Sequence, residues 1–206
     1  MLITIHPKDP EPRKIRSVVE KLLDGGVVIC PTDTVYAFVC SSHSARAIEE
    51  VARLKGIKPQ KADLSLICQD LSQLSTYAKA VDTAAFRIMK KALPGPYTFI
   101  VPASNEIPKL FKNNKRTVGI RVPDHPIPQA LVKELGHALV VASVHDPDKV
   151  VDYTTDPERI HEHLGHRVEV VIDGGIGGLE ASTVIDLSTG EPTVIRAGKG
   201  ALEGLL

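Results

Sequence analysis

Pro31-Thr32-Asp33-Thr34-Val35-Tyr36 sets two hydroxyls, a carboxylate and a phenol directly behind the apolar run Val27-Val28-Ile29-Cys30. Polar side chains at the carboxyl end of a strand are where open α/β sheets collect ligands. Thr and Asp also build turns, so the same segment reads equally as a capped loop entering another strand. Arg53, Lys55, Lys58 and Lys61 follow with no acid between them, around Gly56 and Pro59. Lysines on a helix end and loop can converge on phosphate as compact charges. Further on, residues 117–126, 141–145, 182–187 and 194–198 each place Ser, Thr or Arg at the edge of an apolar run. A buried or half-buried arginine there, Arg121 or Arg196, needs an anion, either an internal carboxylate or a ligand.

Standard phosphate loops are missing. Gly198-Lys199 is followed by Gly200 and position 193 is Thr, so the Walker spacing fails at both ends. Gly174-Gly175-Ile176-Gly177-Gly178 follows a strand, but Glu180 breaks the dinucleotide fingerprint, and the segment reads as a flexible turn. His161, His163 and His166 lack the i, i+4 pairing that puts two ligands on one helix face, because Gly165 holds that position. No metal site is expected. Cys30, Cys40 and Cys68 are an odd set without C-x-x-C spacing, which indicates reduced intracellular thiols buried as small hydrophobes. Cys30 ends a strand as a nucleophile would, but no nearby His supports it.

Elements must hold these residues in place, and strands alternate with helices along the chain. Apolar strands are expected at 27–30, 64–68, 97–101, 117–122, 139–142, 168–172, 183–187 and 193–196. Helices are expected over 13–23, from the Ser44 cap, from Asp82 to Leu93, over 127–135 and from Asp156-Pro157. The alternation gives an α/β fold with a twisted, mixed sheet flanked by helices, as one domain over 1–206.

Composition agrees. The 206 residues are 43% hydrophobic and 24% charged, as in ordinary globular proteins. Disorder, collagen-like repeats and disulfide scaffolds are excluded. No apolar run approaches the roughly 18 to 20 residues of a membrane span. Lys8 and Asp9 come too early for a signal peptide, so a cytoplasmic protein without a membrane partner is expected. Net charge is zero, yet residues 1–123 carry 19 basic and 11 acidic side chains, and residues 124–206 carry 6 and 14. Between Thr83 and Pro123 eight basic residues face one acid, Glu106. Such asymmetry suggests an anionic partner, or else a solvated basic face.

Taken in order, P-T-D-T-V-Y, L-K-G, P-G-P-Y-T, T-V-G-I-R-V-P-D-H-P, S-T-V-I-D-L and I-R-A-G resemble the YrdC/YciO-like family from about Val27 to Gly198. The resemblance implies a twisted α/β sheet around a large basic concave cavity. It also implies threonylcarbamoyl-AMP synthesis from L-threonine, bicarbonate and ATP for the tRNA modification t6A, or binding of double-stranded RNA or tRNA. Carried over by motif, Thr32, Thr34, Arg121, Ser143 and Ser182 match threonine positions, and Lys55, Lys58, Thr117 and Arg196 match nucleotide positions. Lys55, Lys58, Ser143 and His145 stand where catalysis is expected. Magnesium would arrive with ATP, without an all-protein cage.

The chain departs from the catalytic pattern at two places. Ile57 occupies the arginine position of K-x-R, unless an insertion brings Lys58 there. His145 replaces the asparagine of S-x-N, and Asp146-Pro147-Asp148-Lys149 replaces a Ser-Gly-rich segment. These departures point to the YciO branch. Three functions follow: a synthase of threonylcarbamoyl-AMP type, an RNA-binding protein using Lys90, Lys91, Lys112, Lys115 and Arg116, or a small-nucleotide binder or hydrolase using His145. A monomer or homodimer is expected.

Overall fold

Side-chain caps start five of the helices, four of them with an oxygen acceptor. Ser44, Asp70, Asp82 and Asp156 each accept a first-turn backbone N–H, which is why these residue types favour that position. The computed structural model describes residues 1–56, 64–109, 116–144 and 152–206. Among them the helices are α1 (Pro12–Leu23), α2 (Ala45–Leu54), α3 (Leu71–Tyr77), α4 (Thr83–Ala92), α5 (Pro126–Leu135) and α6 (Pro157–Leu164). Gly136 closes α5 at φ 77°, the left-handed stop that a glycine at that spacing predicts. The strands are β1 (Leu2–Thr4), β2 (Val28–Cys30), β3 (Ala37–Ser41), β4 (Ser65–Ile67), β5 (Tyr97–Pro102), β6 (Thr117–Arg121), β7 (Leu139–Ser143), β8 (Val170–Asp173), β9 (Thr183–Asp186) and β10 (Thr193–Arg196).

All ten strands join one mixed sheet in the order β1-β8-β2-β3-β7-β4-β6-β5-β9-β10. Four pairs are parallel (β1–β8, β2–β8, β4–β6, β5–β9) and the other five antiparallel. The eight strands read from sequence are present within two residues at either end. β1, β3 and α3 escape that reading. β1 is only three residues long, and β3 is wholly buried and shows no alternation. The Ser, Thr and Gln positions of α3 mask the spacing of its buried Leu74 and Tyr77.

Each face of the sheet packs a separate core. On one face α1 and α5 bury Val18, Leu22, Ile127 and Leu131 against β2, β3, β7 and β8. On the other, α2, α3, α4 and α6 contribute Ile48, Val51, Leu74, Met89 and Ile160 to a larger cluster with Phe99, Ile120 and Ile185. Strand alternation then fixes what remains. Val118 and Ile120 of β6, Phe99 of β5 and Ile185 of β9 point into the larger core. Thr117, Gly119, Arg121 and Thr98 therefore point to the α1/α5 face, beyond the half those helices cover. Ser143 of β7 points the same way, because its alternating neighbours Leu139 and Val141 belong to the α1/α5 core. Gly119 keeps this region low, since a Cβ there would lie 2.5 Å from Ser65 Oγ. Among the described residues no helix is long and apolar enough to cross a membrane.

Leu131 is fully buried between α5 and the sheet. Leu131→Ala is expected to cost about 2–5 kcal/mol in urea unfolding, while leaving the residues of the opposite core and the polar face in place.

Candidate functional site

Residues 31–36 join β2 to β3 and fold onto the open face. Asp33 Oδ1 accepts from Arg121 Nη2 at 2.9 Å, and both side chains are only 8% exposed. Asp33 Oδ2 accepts the Asp124 N–H at 3.0 Å, so one carboxylate ties the end of β6 to the approach of α5. Arg121 Nη2 also donates to Thr34 Oγ1 at 2.9 Å. Thr32 Oγ1 lies 3.0 Å from Thr34 Oγ1 and 2.7 Å from the Val35 carbonyl, to which it donates. Its single proton is thereby spent, so Thr34 donates to Thr32, and the chain of bonds runs in one direction from the guanidinium to the backbone. Burial pulls the Arg121 pKa down, Asp33 opposes that, and the nearby Arg196 charge lowers it further.

One donor in this arrangement is left over. Arg121 Nε is buried and has no partner among the described residues. Buried polar groups are nearly always satisfied, and leaving one unmade costs about 1–3 kcal/mol.

Ser182 approaches from β9. Its hydroxyl is 2.8 Å from Thr98 Oγ1, and its carbonyl accepts from Arg196 Nε and Nη2 at 3.1 and 2.9 Å. Arg196 Nη2 also reaches Ser182 Oγ at 3.3 Å. Thr32, Thr34, Arg121, Ser182 and Arg196 are thus gathered from β2, β6, β9 and β10. Thr117 lies on the same face as Arg121, four residues away along β6, and Ser143 ends β7 opposite Ala37 of β3. Lys55 closes α2 as its C-cap, on the side of the larger core. Lys58, Lys61, Lys112, Lys115 and His145 lie outside the described residues. Lys90 and Lys91 end α4, where the Lys91 ammonium holds the Gly204 carbonyl, and Arg116 precedes β6 at φ 50°.

Sequence reasoning missed three participants. Asp33 is the internal carboxylate for Arg121, but 88 residues separate them. Tyr36 Oη donates to the Gly175 carbonyl at 2.7 Å and accepts the Gly174 N–H at 3.3 Å. Lys199 Nζ donates to the Asp33 carbonyl at 2.5 Å. The glycine segment 174–178 is therefore no flexible turn. Gly177 N–H bonds Thr155 and Gly178 N–H bonds the Thr34 carbonyl. A Cβ at 178 would lie 2.3 Å from that carbonyl oxygen, so glycine serves close approach here rather than mobility.

Cys30 is fully buried, its Sγ donates to the Pro31 carbonyl at 3.2 Å, and burial pushes its pKa well up, so a thiolate nucleophile is ruled out there. A cleft of about 530 Å³ lined by Leu71, Leu93, Pro94, Val122 and His125 borders the α5 approach, but the Thr34–Arg121–Ser182 group is not part of its wall.

Fold and site together define an α/β protein whose open sheet face carries a buried arginine, hydroxyls and a second guanidinium. The chain belongs to the Sua5/YciO/YrdC family, whose model, described as "Telomere recombination", matches residues 20–198. It is 40% identical to the uncharacterized protein YciO of Escherichia coli K12 over 98% of this chain and 97% of that protein. The crystal structure of E. coli YciO superposes with a TM-score of 0.92, at 38% identity, covering 100% of this chain and 99% of that one. A threonylcarbamoyl-AMP synthase of Halorhodospira halophila is 30% identical over 87% of this chain and 92% of its own length. The structure of P. abyssi Sua5 complexed with L-threonine matches at TM-score 0.86 and 28% identity, covering 96% of this chain and 57% of Sua5.

Burial holds the His125 imidazole below its usual pKa, with Asp33 and Asp124 opposing, and burial with the His43 charge does the same for His137. Neutral His125 caps α5, its Nδ1 accepting the Ile127 N–H at 3.2 Å. With the folded pKa below the unfolded one, the unfolded chain takes up protons first as pH falls. Stability is therefore full above about pH 6.5 and declines below it, down to the folded-state value. Urea midpoints at about pH 7.5 and about pH 5.5 should show this decline. His125→Asn, which keeps a capping oxygen, should reduce it, leaving the His137 share.

Proposed function

We propose that the site binds L-threonine and serves a threonylcarbamoyl-AMP synthase-type reaction, in which threonine, bicarbonate and ATP give threonylcarbamoyl-adenylate, pyrophosphate and water. The observation that carries this reading is the unpartnered, buried Nε of Arg121 beside the Thr34 hydroxyl. A carboxylate oxygen meets that donor, and a planar guanidinium recognises carboxylate in a way an ammonium cannot copy. The likeness to a Sua5 complexed with L-threonine and to threonylcarbamoyl-AMP synthases supports it.

In this reading the amine of threonine attacks the bicarbonate carbon, expelling water to leave a carbamate. A carbamate oxygen then attacks the α-phosphorus of ATP, and pyrophosphate departs. Such chemistry asks for positioning and charge neutralisation more than for a general base. Arg121 and Thr34 hold the amino acid, Ser182 closes the opposite wall, and Arg196 brings positive charge to the nucleotide side. Thr117 and Ser143 complete the set proposed for ATP and bicarbonate on this face, and Lys55 is proposed to reach it from the end of α2, with magnesium carried in by ATP.

A second reading, a basic surface for duplex RNA or tRNA, draws on Arg87 and Lys90, which are exposed on α4 and form no ion pair among the described residues. Arg116, also exposed, extends the set.

Purified protein given L-threonine, labelled bicarbonate and ATP with magnesium should release pyrophosphate in a threonine-dependent manner. Arg121→Lys keeps a charge against Asp33 but loses the fork, and should weaken threonine binding by about tenfold or more. Absence of both threonine-dependent release and calorimetric threonine binding would overturn the reading. For the RNA surface, affinity for a duplex should fall steeply with salt, and Lys90→Ala should lower the slope by about one counterion. A salt-independent affinity would remove that surface from consideration.

A further inference from the structure

Gly198-Lys199-Gly200 follows β10 and is pressed against the start of β9. Gly198 N–H donates to Thr183 Oγ1 at 3.0 Å, Lys199 N–H to the Ala181 carbonyl at 2.9 Å, and Thr183 Oγ1 to the Gly200 carbonyl at 2.6 Å. Neither flanking position has room for a side chain. A Cβ at 198 would lie 2.3 Å from the Ala181 carbonyl oxygen, and one at 200 would lie 2.4 Å from the Tyr97 ring. The strap therefore projects a single side chain, that of Lys199, which spans the mouth of the site to the Asp33 carbonyl.

That ammonium is exposed and rests on one neutral carbonyl, although it carries three donors. The carboxylate beside that carbonyl, Asp33, already serves Arg121 and the Asp124 N–H. Among the described residues neither Lys199 nor Arg196 forms an ion pair. Of Arg121, Arg196 and Lys199, only Arg121 is ion-paired among the described residues, and its partner is Asp33. A zwitterionic amino acid adds no net charge, so this surplus of cations is left for a polyanion.

We infer that Lys199 is a further binding residue of this site, recognising the phosphoanhydride oxygens of the nucleotide substrate as a compact counter-charge at the mouth. This rests on the nucleotide-using reaction proposed above. On binding, the ammonium exchanges the Asp33 carbonyl for phosphate oxygens. A bond to a charged acceptor replaces one to a neutral carbonyl, and the strap stays in place because its backbone contacts do not involve the side chain.

Calorimetric titration with inorganic pyrophosphate, ATP and L-threonine tests this. Lys199→Ala should weaken pyrophosphate and ATP binding by about tenfold or more, leave threonine affinity within about twofold, and leave the melting temperature unchanged, with Lys199→Arg restoring most of the loss. Unchanged anion affinity in Lys199→Ala, or parallel loss of threonine affinity and thermal stability, would show a structural tether and overturn the inference. Loss with pyrophosphate but not with ATP would overturn the nucleotide assignment. Wild-type protein that binds no pyrophosphate overturns the role of Lys199 whatever its activity with threonine. A Lys199-dependent pyrophosphate site without any threonine binding would instead keep the lysine and remove the synthase reading.

Discussion

A guanidinium taken out of water is tolerable only if its charge and its N–H groups are met, and Arg121 organises the open face of the sheet around that requirement. Asp33 supplies the charge, and its second oxygen holds the Asp124 N–H. A loop after β2, the end of β6 and the start of α5 are thereby fixed by one carboxylate. The hydroxyl chain through Thr34 and Thr32 to the Val35 carbonyl extends the same constraint into the loop, because each proton in it has one direction to go. Among the described residues the buried Nε remains unmet. Removing either charge would leave the other stranded, which is why the conservative replacement of Arg121 is more informative than its deletion.

Site and stability are largely separated by the pleat. In β5, β6 and β9 the residues that build the larger core alternate with those that reach the ligand face, so Ile120 and Arg121 are neighbours with unrelated duties. Helices cover only half of the ligand face, through α1 and α5. The uncovered half can then be polar without loss of core, since four helices bury the reverse side. Glycines set how closely the rim segments approach. Gly178 brings the 174–178 loop onto the Thr34 carbonyl, and Gly198 and Gly200 lay the C-terminal strap on β9.

Much of this was legible in the sequence because it is local. Caps at Ser44, Asp82 and Asp156, the stop at Gly136, and apolar runs of four to six residues depend on neighbours along the chain, and the structure has them where spacing put them. Thr34, Arg121, Ser182 and Arg196 were marked as polar residues on strand edges, and the sheet order brings them together. Partnership was not legible. Asp33 looked like turn chemistry, since nothing in its own segment signals an arginine 88 positions away. Five residues rich in glycine looked mobile, since the tyrosine hydroxyl that holds them belongs to β2's connection, 138 positions earlier. Lys199 looked like a failed phosphate loop, since the feature that matters is the space its two glycines free, not their spacing from Thr193.

Charge distribution along the chain acquires a different meaning at this site. Residues 1–123 hold the basic excess, yet Arg121 arrives with its own acid, Asp33, from the same half, and the two cancel. Arg196 and Lys199 come from the acidic half, where only six basic residues stand against fourteen acids, and neither is spent on an ion pair among the described residues. Arg196 and Lys199 are both exposed at this polar face, so neither carries a burial cost and their charge stays available there. In the proposed reading both cations serve a ligand that brings more negative charge than a single carboxylate. The anion preference proposed for the face then rests on the last strand and the strap behind it, as well as on the basic first half of the chain.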